Sequence, residues 1–359
     1  MSAGLTVVIG GGGVGKTTTS AALGLALARS GRRVLVVTVD PARRLADALG
    51  VSLHEEASTI DIDGAPLWAR MPDSSRSLDR FVDWLLPEPE ARARLRSNAM
   101  YRELGDALAG VHELVAVGQL EQDVASGGFD EVVLDTAPSR HALELFDYPG
   151  KIGRMLEART MAFAAGLGRL AESTLETRPD ERGLFAWGKR RAGELVSGLL
   201  GKEAVLATGA LFLELQGARE RWLELVQQSE ARLASASTRY VVVSATSGAA
   251  LDDASYLARQ LRERKLATTA LVLNRCRDGS RALPVLDAAH PLAAMVGELR
   301  DEDARLGAQT AAARRRLERE RRSPTVLTCL PSLDASDPRR ILLELASALE
   351  REAWVPRAR

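Results

Sequence analysis

Eight consecutive residues, Gly10-Gly11-Gly12-Gly13-Val14-Gly15-Lys16-Thr17, combine a run of glycines with a lysine and a hydroxyl at the spacing G-x-x-x-x-G-K-[ST]. Glycines let backbone N–H groups turn inward around an anion, and the lysine adds a full positive charge. That is the chemistry of phosphate binding. An apolar run, Leu5–Ile9, precedes the loop, and the helical pattern Thr18–Arg29 follows it. The loop therefore opens a helix, whose N-terminus carries a partial positive charge. In this arrangement Gly12, Gly13, Val14 and Gly15 supply backbone donors. Lys16 reaches the β- and γ-phosphates, Thr17 ligates Mg²⁺, and Thr18 hydrogen-bonds the α-phosphate region.

Two acidic residues stand at the ends of apolar runs. Asp40 follows Val34–Val39 and opens Asp40-Pro41-Ala42-Arg43-Arg44-Leu45, and Asp135 follows Val132–Leu134 and opens Asp135-Thr136-Ala137-Pro138-Ser139-Arg140-His141. An acid in such a position commonly caps a helix. In an open α/β sheet, however, ligands collect at the carboxyl ends of the strands. Beside a phosphate loop, both aspartates are expected to face a magnesium–phosphate group.

The elements that must position these residues follow from the hydrophobic pattern. Leu5–Ile9, Arg33–Thr38, Glu131–Leu134, Tyr240–Ser244, Ala270–Leu273 and Thr325–Leu330 read as strands, with helical stretches between most of them. Several are continuous apolar runs, as in parallel strands buried on both faces. The expected fold is α/β, a doubly wound, mostly parallel sheet. We read residues 1–359 as one such domain with a helical insertion at 151–238 and a smaller helical patch at 79–117. Within the insertion, Leu211, Leu215, Ala218, Trp222, Leu225 and Leu233 lie close to heptad spacing on one helix face.

Composition narrows the function classes. Of 359 residues, Lys+Arg and Asp+Glu number 48 each, so formal net charge is zero. Phosphate neutralisation along nucleic acid needs a basic excess, so no nucleic-acid partner is expected. The basic run Arg314–Arg322 is interleaved with glutamates and reads as a solvated helix face. With two cysteines, Cys276 and Cys329, a disulfide scaffold and an all-cysteine zinc site are excluded, and both read as small packed hydrophobes at strand ends. The first nine residues carry no basic targeting region. The most apolar stretch, Leu195–Leu213, holds Lys202 and Glu203 at its middle, at about 2.5–3.5 kcal/mol per charge at a bilayer centre. The expectation is a cytoplasmic protein with no integral membrane segment.

Taken together, the loop, Asp40-Pro41-Ala42 and Asp135-Thr136-Ala137-Pro138 resemble the arsenical pump-driving and tail-anchored-protein-targeting ATPases. These form part of the deviant-Walker-A (SIMIBI) class of phosphate-loop NTPases. The resemblance implies a dimeric switch that binds and hydrolyses ATP to ADP with Mg²⁺ and couples nucleotide state to a client. It implies that Asp40–Leu45 is switch I, with Asp40 orienting the attacking water and facing the metal. Asp135–His141 corresponds to switch II, with Asp135 holding Mg²⁺ through water. Asn274, in Leu271-Val272-Leu273-Asn274-Arg275, corresponds to the residue facing the adenine, and Pro331, in Leu330-Pro331-Ser332-Leu333, to the loop closing over it. The helical insertion falls where the family places its client-facing helices, and Leu195–Leu213 is the candidate apolar surface for a hydrophobic client.

The departures are informative. The family's loop begins Gly-Lys-Gly-Gly, and this sequence has Gly11 in place of that lysine. By the resemblance, that lysine reaches across a dimer to the partner's phosphates. A cation supplied in trans is worth about 10³–10⁵ in rate, or roughly 4–7 kcal/mol. Two readings follow. A lysine-bearing paralogue pairs with this chain as a heterodimer, or a homodimer uses a substitute cation from Arg43, Arg44 or Arg140. The family's zinc-clasping Cys-x-x-Cys and the pump ATPases' metalloid-binding cysteines are absent, and only Met155 and Met161 fall in the insertion. A metalloid pump subunit and a partition-type positioning ATPase stay as alternatives, and a carboxylate-activating ligase of the same fold is a third.

Overall fold

The computed structural model describes residues 3–40, 43–71, 82–98, 101, 111–137, 143, 202–280, 283–287, 290–333 and 336–356. The chain divides into two compact units. One comprises Met1–Asp73, Gln122–Glu144 and Arg232–Arg359, and the other Ser74–Glu121 and Leu145–Ala231.

The first unit is built on an eight-stranded sheet. Its strands are β1 (Gly4–Gly10), β2 (Val34–Thr38), β3 (Ser58–Ile62), β4 (Ala65–Arg70), β5 (Glu131–Asp135), β6 (Thr238–Ser244), β7 (Thr268–Cys276) and β8 (Val326–Pro331). Their spatial order is β3-β4-β2-β5-β1-β6-β7-β8, and every pairing is parallel except β3 with β4. The fold is thus the α/β, mostly parallel sheet expected from the pattern. The central strands β2 and β5 are buried along their whole length, which is why they read as unbroken apolar runs. Each fully buried Val, Leu or Ile contributes about 1.5–3 kcal/mol.

The hairpin β3–β4 is absent from the sequence reading. Its turn is Asp63-Gly64, with both residues at positive φ, 55° and 78°. That pair is the strongest short hairpin signal, but Pro66 interrupts the alternation that would have flagged the strand. Pro66 is tolerated because it sits near the start of β4, ahead of the pairing with β2, which begins at Trp68.

The helices are α1 (Lys16–Arg29), α2 (Arg44–Leu49), α3 (Pro89–Ser97), α4 (Val111–Ala125), α5 (Lys202–Leu233), α6 (Gly248–Glu263), α7 (Ala293–Glu320) and α8 (Pro338–Glu350). Helix α1 packs on β2, β4 and α8. Its approach depends on Gly24, where a Cβ would lie 2.4 Å from Val36 Cγ2. Asp337 caps α8 by accepting from Arg339 N at 3.0 Å, with Pro338 in its first turn. The chain's last turn is fastened to β8, since Trp354 Nε1 donates to Thr328 Oγ1 at 2.9 Å.

The stretch 151–238, read as a helical insertion, is described only from residue 202 onward, where it forms a single helix of 32 residues, α5. Ala218, Trp222, Leu225 and Leu233 on its periodic face are buried. The side chains of Leu211 and Leu215 lie outside the described residues, as do those of Leu195–Leu213, together with Met155 and Met161. In the smaller patch, α3 and α4 are helical. No helix among the described residues is long and apolar enough to cross a membrane.

Candidate functional site

The parallel strands deliver their carboxyl ends to one edge of the sheet. Strand β1 runs into the glycine loop, and α1 begins at Lys16. Gly13 (φ 71°) and Gly15 (φ 90°) hold the left-handed conformations that turn the loop. A Cβ at Gly12 or Gly13 would meet nothing within 4 Å, so the loop's outer rim is open. A Cβ at Gly15 would lie 2.1 Å from Asn274 Nδ2. That amide donates to Val14 O at 3.0 Å and braces the loop from β7.

Lys16 is buried, and its Nζ donates to Gly11 O at 3.0 Å. Burial pushes its ammonium below the ordinary value, while the carboxylates of Asp135 and Asp40 oppose that shift. Asp135 is placed by register, opposite Val8 of β1 and Thr38 of β2. Its two oxygens accept from Ser20 Oγ and Thr38 Oγ1, each at 3.2 Å. Burial pushes Asp135 up to about 6, against hydrogen bonding by Thr17 and the charge of Lys16. A carboxylate kept dry beside a lysine and three hydroxyls is a poor structural element in itself. It fits a divalent cation arriving with phosphate. Among the described residues no three His, Cys, Asp or Glu side chains cluster as a metal site, so such an ion would take ligands from Thr17 and from phosphate oxygens as well.

Asp40 N donates to Thr38 Oγ1 at 3.1 Å, which links the start of the Asp40–Leu45 segment to the Asp135 cluster. The Asp40 carboxylate ion-pairs with Arg44 Nη1 at 3.4 Å. Arg44 lines the cavity beside the loop. Arg43 is exposed and does not line it, and Arg140 lies outside the described residues. The cavity holds about 550 Å³, within the usual range for small-ligand sites. Gly13, Gly15, Lys16, Thr17 and Thr18 form one end, and Asn274, Pro331, Ser332 and Leu333 another.

The structure therefore gathers Lys16, Thr17, Thr18, Arg44, Asn274 and Pro331 around one cavity and sets Asp135 beneath the loop. Residue reading missed Ser20 and Thr38. Ser20 was findable, since it lies four residues after Lys16 on the same face of α1. It also missed Asp253 of α6, whose Oδ2 would lie 2.6 Å from a Cβ at Gly11. In this chain a carboxylate stands beside Gly11.

A mostly parallel α/β sheet with this loop at its central strand defines the class, a phosphate-loop NTPase fold. Residues 5–179 match the model of a family described as anion-transporting ATPase, and over that stretch the chain is anion-transporting ATPase-like. It is 32% identical over 174 residues to a protein named ATPase get3 from Aspergillus terreus (strain NIH 2624 / FGSC A1156), covering 48% of this chain and 51% of the relative. It is 29% identical over 184 residues to ATPase get3 from Schizosaccharomyces japonicus (strain yFS275 / FY16936), covering 50% of this chain and 55% of the relative. The match thus spans about half the length of these curated relatives.

Proposed function

We propose that this chain binds Mg-ATP in the cavity at the glycine loop and hydrolyses it to ADP and phosphate, using the cycle as a conformational switch. The observation that carries the reading is the buried Asp135, held by Ser20 and Thr38 next to Lys16 at the base of a glycine-built loop. Backbone N–H groups of Gly12–Thr18 bind the phosphates, and Lys16 leaves the Gly11 carbonyl for the β- and γ-oxygens. Thr17 and Asp135 would hold Mg²⁺, which would supply charge neutralisation to the phosphates. Asp40 orients the attacking water, which requires its carboxylate to part from Arg44. Asn274 keeps the loop in shape and, with Pro331, bounds the base end of the cavity.

Arg44 is the favoured substitute for the missing lysine. It is the one of the two described candidates, Arg43 and Arg44, that lines the cavity, and it is released when Asp40 turns to water. In the dimeric reading the partner is a second copy or a lysine-bearing paralogue, and the 151–238 insertion serves a hydrophobic client. The similarity to proteins named ATPase get3 supports the nucleotide half of this proposal more directly than the client half.

Titration of the purified chain with ATP in the presence and absence of Mg²⁺ tests the site. Binding that strengthens with Mg²⁺ and falls at least about 100-fold in Lys16→Ala is expected, a loss of roughly 2.7 kcal/mol. Binding that Lys16→Ala leaves intact would place the nucleotide elsewhere.

A further inference from the structure

The chain's two cysteines lie on adjacent strands, and an irregularity in their pairing brings them to one face. Strands β7 and β8 pair in order from Ala270↔Val326 to Leu273↔Cys329, then resume at Cys276↔Pro331. Three residues of β7 thus advance against two of β8. The extra residue falls at Asn274-Arg275, where Arg275 has a φ of 59°. Side chains alternate along a strand, so with regular pairing Cys276 would point away from Cys329. The bulge restores it to the face of Cys329 and Pro331.

Both thiols are half-buried, each lies near enough to perturb the other's titration, and Cys276 Sγ donates to Leu273 O at 3.1 Å. They line an open cavity of about 500 Å³ together with Arg314. The neighbouring Cys276 thiol and then Arg314 bring the Cys329 thiol down to about 7, whereas the Cys329 thiol and burial raise Cys276. Cys329 is therefore the better nucleophile of the two.

This pair adjoins the nucleotide cavity. Cys276 lies two residues after Asn274, and Cys329 two residues before Pro331. Pro331 and Ser332 line both cavities. Ser332 N donates to Cys276 O at 2.8 Å, tying the loop to the end of β7.

We propose that Cys276 and Cys329 form a reversible intramolecular disulfide under hydrogen peroxide, and that this weakens nucleotide binding in the adjoining cavity. The Cys329 thiolate attacks the peroxide oxygen, the O–O bond breaks, and a sulfenic acid forms with release of hydroxide. The Cys276 sulfur then attacks the sulfenic sulfur, the S–O bond breaks, and water leaves. Two thiols lose two electrons and two protons, and the peroxide is reduced to two waters. A low-molecular-weight dithiol reverses the change by exchange. A covalent S–S bond of about 2.05 Å is far shorter than the contact distance of two unbonded thiols. Closing it shifts β8 and β7 relative to each other where Pro331 and Asn274 bound the cavity.

The second half of this proposal rests on the nucleotide reading, and the experiment separates the two. The full chain is treated with hydrogen peroxide, its thiols are counted, its intact mass is measured, and a fluorescent ATP analogue is titrated. Expected are loss of both thiols, a monomer lighter by about 2 Da, and an affinity lower by about threefold or more. Dithiothreitol should restore all three. Cys276→Ser and Cys329→Ser should bind like the reduced chain before and after peroxide. Oxygen addition in place of hydrogen loss, a disulfide-linked dimer, or an internal disulfide without change in affinity would each overturn the proposal. A reduced chain that binds no analogue would overturn the nucleotide reading and the regulatory half, while the thiol count and mass would still decide the disulfide.

Discussion

Replacing Gly15 with alanine tests how the glycine loop is held. Two costs can be read from the structure. Gly15 sits at φ 90°, and an L-residue in that half of the map costs about 1–2 kcal/mol. The new Cβ would also lie 2.1 Å from Asn274 Nδ2, so the amide must move and lose its bond to Val14 O. Leaving that buried carbonyl unpaired costs about another 1–2 kcal/mol. Gly15→Ala should therefore destabilise the sheet-bearing unit by about 2–4 kcal/mol. Asn274→Ala should cost about 1–2 kcal/mol alone, by the same lost bond. In the double variant that loss is counted once, so the two effects should fall short of additivity by about 1–2 kcal/mol. Urea unfolding of the four proteins, followed by circular dichroism and tryptophan fluorescence, measures the cycle. Full additivity would refute the claim that Asn274 is the brace of the loop.

The other predictions concern charge. Arg44→Ala should lower ATP turnover at least about tenfold with little change in binding, whereas Arg43→Ala should leave turnover within about twofold; equal effects would remove the reason for favouring Arg44. Glu131 is buried and accepts from Thr6 Oγ1 at 2.9 Å while pairing with Arg239 at 2.5 Å. Glu131→Ala should cost about 3 kcal/mol in urea unfolding, because a mostly buried guanidinium loses its counter-charge; a change under about 1 kcal/mol would contradict that account. Asp135 is raised from 3.8 to about 6 in the folded chain. In EDTA the fold thus favours its protonated form, and that stabilisation is full below about pH 3.8 and lost as pH rises through about 6. The wild-type chain should lose about 3 kcal/mol relative to Asp135→Asn across this window; a pH-independent difference would mean Asp135 is not desolvated.

The parts legible in the sequence were those encoded locally. Six strands of the sheet announce themselves as apolar β-branched runs, since parallel strands are buried on both faces. The glycine loop is contiguous, and its strand and helix flank it within a few residues. What stayed hidden depends on side chains meeting across the sheet. Asn274 was expected to face a base; that its amide also donates to Val14 O, 260 positions away in sequence, could not be read from the chain. The carboxylate of Asp253 beside Gly11 is of the same kind. The two cysteines, read as packed hydrophobes, are half-buried and brought to one face by a bulge that no periodicity reveals. Only the periodic face Leu211–Leu233 was read within the insertion, whereas helix α5 runs unbroken for 32 residues from Lys202. The hairpin β3–β4 was missed although its Asp-Gly turn was in plain sight.

The central claim is that Asp40 and the glycine loop form one hydrolytic site. Steady-state ATP turnover by the purified chain, with and without Mg²⁺, against Asp40→Asn tests it most directly. The account predicts Mg²⁺-dependent turnover, by the chain alone or on adding a lysine-bearing partner, that Asp40→Asn abolishes while ATP binding persists. Turnover unaffected by Asp40→Asn, or no ATP binding by the wild-type chain, would contradict it.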